Sequence, residues 1–167
     1  MKEVKRLDKN NQQDFINFNR VIRENLVNPK WFMPFSEENM MHTFDDGNTL
    51  VVYGVFVDGI LAAISLFDTN YEEFKELSLA CNLSPDKKGA ELGGSMVLPQ
   101  YRGQNLMLDV NTKLISVAKE MGIDYFVATV HPDNIASNRS VQKLGMQLKT
   151  TITRTGGYLR NVYLMEL

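Results

Sequence analysis

Leu98-Pro99-Gln100-Tyr101-Arg102-Gly103-Gln104-Asn105-Leu106 joins an apolar strand pattern, Glu91–Leu98, to the clearest helix pattern in the chain, Leu106–Met121. A strand that turns sharply into a helix leaves several backbone N–H groups unpaired and aimed at one point. Such a point suits a phosphate group. The junction therefore reads as an anion cradle, and a nucleotide-containing ligand is the expectation.

Working outward, the helix after the junction carries Met107, Val110, Leu114, Val117, Ala118 and Met121 as one apolar stripe, with Gly122 as its stop. Tyr125–Val130 is a continuous apolar strand, expected to be covered on both faces. Ile135–Leu144 is a helix stopped by Gly145, and Gln147–Arg154 and Tyr158–Leu167 are two strands around Gly156-Gly157. Upstream, Thr49–Val57 and Ile60–Asp68 form a hairpin across Asp58-Gly59, a strong turn pair. Before it come a short strand Glu3–Leu7, a helix Asn11–Asn28, irregular chain at Pro29 and Pro34, and a short helix Glu37–Phe44 with Ser36 as N-cap. Tyr71–Leu83 is a further helix. The order predicts a mixed, mostly antiparallel central sheet of about seven strands flanked by helices, an α/β (α+β) fold, with residues 1–167 as a single domain.

The 167 residues suffice for a real core, and 44% hydrophobic with 23% charged residues is a globular balance. A formal net charge of −2 gives no global argument for nucleic acid or an anionic membrane. Residues 98–154 hold seven Lys/Arg against four acids, a balance of +3, so the remainder carries −5. One cysteine, Cys81, forbids an internal disulfide, and Met1–Asp8 has no apolar core of signal-peptide length. A cytoplasmic protein is expected. The two histidines and Cys81 lack metal-ligand spacing, so no metal site is expected. The sequence also lacks a Gly-x-Gly-x-x-Gly fingerprint, which argues against a dinucleotide-binding protein.

On these residues the chain resembles the GNAT N-acetyltransferase superfamily. Gln100-Tyr101-Arg102-Gly103-Gln104-Asn105 is similar to that family's Gln/Arg-x-x-Gly-x-Gly/Ala signature, with Asn105 replacing the second small residue. Asn134, Lys143 and Gly145 match its second signature, with Met146 in place of Phe. The resemblance implies acetyl-CoA as cosubstrate and an amine acceptor, either a small molecule or a peptide. It implies that backbone groups of Met96, Val97 and Leu98 meet the acyl and pantetheine parts. The N–H groups of Arg102, Gly103, Gln104, Asn105, Leu106 and Met107 would meet the pyrophosphate, and Asn134 and Ser137 would lie beside the pantetheine arm. The family's usual acid, a Tyr, is replaced here by Val141, so no general acid carries over.

Glu91 is the carboxylate nearest in sequence to the acyl site and is the candidate base. Strand alternation puts residues 91, 93, 95 and 97 on one face. The other reading of Glu91 is a surface or strand-end carboxylate. His131 reads as shaping its loop, His42 as a surface residue and Tyr101 as packing. Trp31, Phe32, Phe35, Met40 and Met41 form either an acceptor-pocket wall or ordinary core. Tyr71, Glu72, Glu73, Phe74 and Glu76 offer an acidic patch that reads first as a solvated helix face. Two functions follow: direct acetyl transfer to an amine, or acyl-CoA binding by a sensor with little turnover. A monomer or a homodimer fits, since the C-terminal strands offer an edge.

Overall fold

The computed structural model describes residues 1–33 and 35–167, so the break expected at Pro34 lies outside it. Strands β1 (Lys2–Arg6), β2 (Leu50–Val57), β3 (Ile60–Asp68), β4 (Gly89–Val97), β5 (Tyr125–Val130), β6 (Gln147–Arg154) and β7 (Tyr158–Glu166) form one sheet in the order β1-β2-β3-β4-β5-β7-β6. Its pairs are antiparallel except β4 with β5. Asp58 and Gly59 take φ of 48° and 82°, the left-handed pair that a two-residue hairpin turn requires.

Helices cover both faces. Helix α4 (Leu106–Glu120) lays Leu106, Val110, Leu114 and Ala118 on Val51, Val55, Ala63, Phe67 and Phe126, and Val141 of α5 (Ile135–Lys143) joins that core. On the other face, α1 (Gln12–Glu24) packs Phe15, Phe18 and Ile22 against Val52, Ile64 and Leu66, with Met40 of α2 (Glu37–His42). Phe74 and Leu77 of α3 (Tyr71–Ala80) meet Tyr125, Val127 and Val162 on that same side.

Three local expectations are corrected. Helix α1 stops at Glu24 rather than Asn28, where the Asn25 side chain donates to the Val21 carbonyl at 2.8 Å. Helix α3 stops at Ala80 rather than Leu83, because the Leu83 N–H turns back to Ser78 O at 3.0 Å. The α4 stripe runs through Leu106, Val110, Asn111, Leu114 and Ala118, and Met121 is 48% exposed.

The fourth correction concerns β4. Its pairing with β3 runs Glu91↔Asp68 to Gly93↔Leu66, then resumes at Met96↔Ile64, so Gly94 and Ser95 together oppose Ser65. This is a β-bulge, and Gly94 takes the left-handed φ of 57° that such bulges give to glycine. Ser65 pins it through its hydroxyl, 2.7 Å from that of Ser95. One extra residue reverses the alternation. Ala90 and Leu92 face α4, whereas Met96 and Leu98 face α1. Glu91 and Val97 therefore do not share a face.

Candidate active site

Strand β4 pairs with β5 only at Gly89, Ala90 and Glu91. Beyond that rung the two strands part, and a cleft of about 670 Å³ opens between them. Glu91 to Val97 line it from β4, Ala128 to Val130 from β5, and Met107 and Asn111 from α4. Leu98 donates its N–H to Ala62 O at 2.9 Å and accepts from Tyr101 N–H at 2.9 Å. Its backbone is thus fully used, and its side chain is buried in the α1-side core, which corrects its assignment to the site. Successive amides on a strand point to opposite edges, so the Val97 N–H faces the open β5 side.

At the mouth of this cleft the junction turns as its sequence suggests. Gly103 (φ 78°) and Asn105 (φ 58°) are both left-handed, and Asn105 is the N-cap of α4 without a side-chain cap bond. The first intrahelical bond is Asp109 N–H to Asn105 O at 3.2 Å. That leaves the N–H groups of Leu106, Met107 and Leu108 without helical partners. Those of Gly103, Gln104 and Asn105 make no backbone bond among the described residues. The Arg102 N–H is taken by Pro99 O at 3.3 Å, so its amide leaves the expected set while its side chain lines the cleft. Lys143 Nζ lies 3.3 Å from Asn105 Oδ1, adding a cation beside the amides.

Asn134 and Ser137 line the opposite wall, where Asn134 caps α5 by accepting from the Ser137 N–H at 3.2 Å. Behind them stands Asn138, which sequence reasoning missed. Its amide nitrogen donates to His131 O, Pro132 O and Asn134 O, and its oxygen accepts from Asn161 and from the Tyr163 hydroxyl at 2.6 Å. An Asn inside a helix favours such bonds to backbone groups over helix propagation, and that was the available signal. Asn111 was missed too. It is 4% exposed, lines the cleft one turn beyond Met107, and its side-chain oxygen is buried without a partner. Val141 lines the cleft as well, with no proton to give.

Glu91 sits at the vertex of the cleft, on the last paired rung. Arg154 NH1 donates to its Oε1 at 2.6 Å, while Arg154 Nε donates to Glu76 at 2.8 Å and NH2 to Glu73 O at 3.0 Å. Burial raises the Glu91 pKa above its ordinary value, and the Arg154 charge opposes that rise. It is thus neither a surface nor a strand-end carboxylate. Asp68, Glu73, Arg154 and Arg160 line the same end of the cleft. Both arginines were missed, although an Arg in the alternating run Tyr158, Arg160, Val162, Leu164 is a visible break in pattern.

The remaining candidates separate cleanly. Trp31, Phe32 and Phe35 line the cleft, Met40 is core, and Met41 is exposed. In the acidic patch, Phe74 is core and Glu76 is bound to Arg154, leaving Glu72 with Lys75 at the surface. His131 Nδ1 accepts the Asp133 N–H at 3.2 Å and so shapes its loop, and His42 is an exposed partner of Asp45. Tyr101 packs against both sheet-face cores. No helix among the described residues is long and apolar enough to cross a membrane.

The family model for the acetyltransferase (GNAT) domain matches residues 30–147. No curated protein matches the sequence. Among solved structures, an N-acetyltransferase from Staphylococcus aureus Mu50 superposes with a TM-score of 0.74 at 13% identity, covering 99% of this chain and 97% of that one. An acetyltransferase of the GNAT family from Streptococcus pneumoniae gives 0.74 at 12%, covering 100% and 99%. The ribosomal-protein-S18-alanine N-acetyltransferase of Escherichia coli gives 0.70 at 16%, covering 99% and 94%. At these identities the structural likeness carries the fold, and the family model carries membership. The chain belongs to the GNAT acetyltransferase family.

Proposed function

We propose that this acetyltransferase moves an acetyl group from acetyl-CoA directly to a primary amine. The observation that carries the reading is the parting of β4 from β5 onto the uncapped start of α4. The donor set suits the ligand. The amides of Gly103 to Leu108 would hold the diphosphate. The open edge at Val97 would receive the pantetheine arm, with the Met96 backbone turned to β3, and Asn134, Ser137 and the unpartnered Asn111 oxygen would flank it.

When bound, acetyl-CoA supplies a thioester carbonyl. The Val97 N–H, facing the open edge, would polarise it, as a fixed amide does best in a water-poor cleft. The amine must lose a proton before attack, since an alkylammonium has a pKa of about 10.4 in water. Glu91 would take that proton, directly or through a water. Its burial makes it a stronger base than a solvated carboxylate, and Arg154 fixes its orientation.

Val141 favours a second reading, an acyl-CoA sensor with little turnover. Calorimetric titration with acetyl-CoA tests the shared claim, and absence of heat at several temperatures refutes both readings. Thiol release with a panel of primary amines then separates them: steady release supports transfer, and binding without release supports the sensor.

A further inference from the structure

Arg160 is 2% exposed and belongs to no ion pair among the described residues. Its NH1 donates to Lys30 O at 3.2 Å and to Leu159 O at 2.8 Å, and its guanidinium carbon lies 5.3 Å from the Tyr158 ring centroid. Among the described residues its NH2 is buried with no hydrogen-bond partner. The indole N–H of Trp31, next in sequence to Lys30, is also buried without a partner among them. Both residues line the same cleft as Glu91.

A buried guanidinium without a counter-ion is costly. Arg154, the other cation of this wall, is already neutralised by Glu76 and Glu91. Arg154 and Arg160 share one face of the β6–β7 hairpin, since Arg160 opposes Ile152 and Arg154 lies two residues further along β6. Burial and the Arg154 charge both push the Arg160 guanidinium down from its ordinary value. The cleft thus holds two idle donors, one of them on a guanidinium without an ion-pair partner, in a lining that also carries the carboxylates of Asp68, Glu73 and Glu91.

From this we propose that the acceptor carries a carboxylate as well as its amine, and that Arg160 NH2 and the Trp31 indole N–H receive that carboxylate. The inference rests on the reading of the cleft as an amine acetylation site and narrows its acceptor class to amino carboxylates. A carboxylate offers one negative charge to that guanidinium and two acceptor oxygens to the two donors. A dianionic phosphate would meet more repulsion from the carboxylates in the same lining.

The test uses matched pairs: glycine, β-alanine, 4-aminobutyrate, 6-aminohexanoate and several L-amino acids, each against its carboxamide. Thiol release from acetyl-CoA is the first readout. Calorimetric binding of each compound to the protein with CoA present is the second, and it needs no turnover. Carboxylates should exceed their amides by about tenfold to a hundredfold in kcat/KM or in affinity, the range that a charge-assisted hydrogen bond supports. In Arg160→Gln the preference should collapse through a raised KM for carboxylates, with amides and acetyl-CoA binding little changed. Arg160→Lys, which keeps the charge, should restore part of it. Equal treatment of carboxylates and amides by the unmodified protein in both readouts overturns the proposal, as does a preference that survives in folded Arg160→Gln. Thiol release from amines with no carboxylate preference sinks this inference alone. No heat with acetyl-CoA sinks the transferase reading instead, and the second readout still judges Arg160.

Discussion

Replacing Asn138 by Ala tests whether the second wall of the cleft is held by one side chain. The amide nitrogen has two hydrogens shared among three carbonyls, at 2.9, 3.3 and 2.8 Å, and the oxygen accepts two bonds, at 3.0 and 2.6 Å. That is an equivalent of four bonds, worth about 1 kcal/mol each in net terms. Water can reach the half-buried loop carbonyls and return part of this. It cannot easily reach the Tyr163 hydroxyl, whose residue is 1% exposed, so that group adds about 1–3 kcal/mol as an unsatisfied donor. A loss of about 3 kcal/mol is expected, read by urea unfolding at constant m. Tyr163→Phe alone should lose about 1 kcal/mol. In the double variant Asn138→Ala/Tyr163→Phe the stranded hydroxyl is gone, so the losses should fall short of additive by about 1–2 kcal/mol. Asn138→Asp should be worse than Ala above the carboxylate range, since it sets a negative charge against the carbonyls of residues 131, 132 and 134. Acetyl-CoA affinity should fall in parallel, because Asn134 and Ser137 hang on this network. A loss under 1 kcal/mol, or strict additivity, would refute the assignment of Asn138 as the organiser of the wall.

At 100 times its dissociation constant acetyl-CoA should add about 2.7 kcal/mol, a rise in Tm of roughly 5–11 °C by thermal scan. If Glu91 is the base, kcat/KM should fall as pH drops through its pKa, which burial holds above the ordinary carboxylate value of 4.5. Glu91→Gln should remove that acid limb and slow the reaction by about 10²-fold or more, measured as a pH–rate profile. Gly94→Ala meets both a left-handed φ of 57° and the Leu66 side chain at 3.0 Å, whereas Gly122→Ala meets only a φ of 74° in open space. Both should lose about 1–2 kcal/mol of stability from backbone strain, but only the Gly94 variant should also weaken acetyl-CoA binding in calorimetry.

Legibility followed chemistry. The hairpin, β5, α4 and α5 were readable because Asp58-Gly59, the apolar run 125–130 and the helical stripes express local physics. The bare amides before α4 were readable because a chain that turns sharply into a helix leaves its first N–H groups without helical partners. What could not be read was everything that depends on one extra residue in β4. Gly93-Gly94 signals a weak point in a strand, but not which residue is the insertion, and the period-2 reading therefore put Glu91 and Val97 on one face. Nor does sequence say that Leu98 would spend its amide on Ala62, or that Arg154 would reach back 63 residues to Glu91.

The two halves of the cleft answer to different parts of the chain. The half that would hold the cosubstrate is made of backbone: bare amides before α4, an unpaired strand edge, a glycine-permitted bulge. Backbone can keep that shape under many sequences, which is how the fold persists among structures only 12–16% identical to this chain. The half that would hold the acceptor is made of side chains: Trp31, Asp68, Glu73, Glu91, Arg154 and Arg160. Side chains can change without moving the backbone, so the fold alone does not name the acceptor. The unused donors of Arg160 and Trp31 are side-chain features, and acceptor choice has to be argued from them.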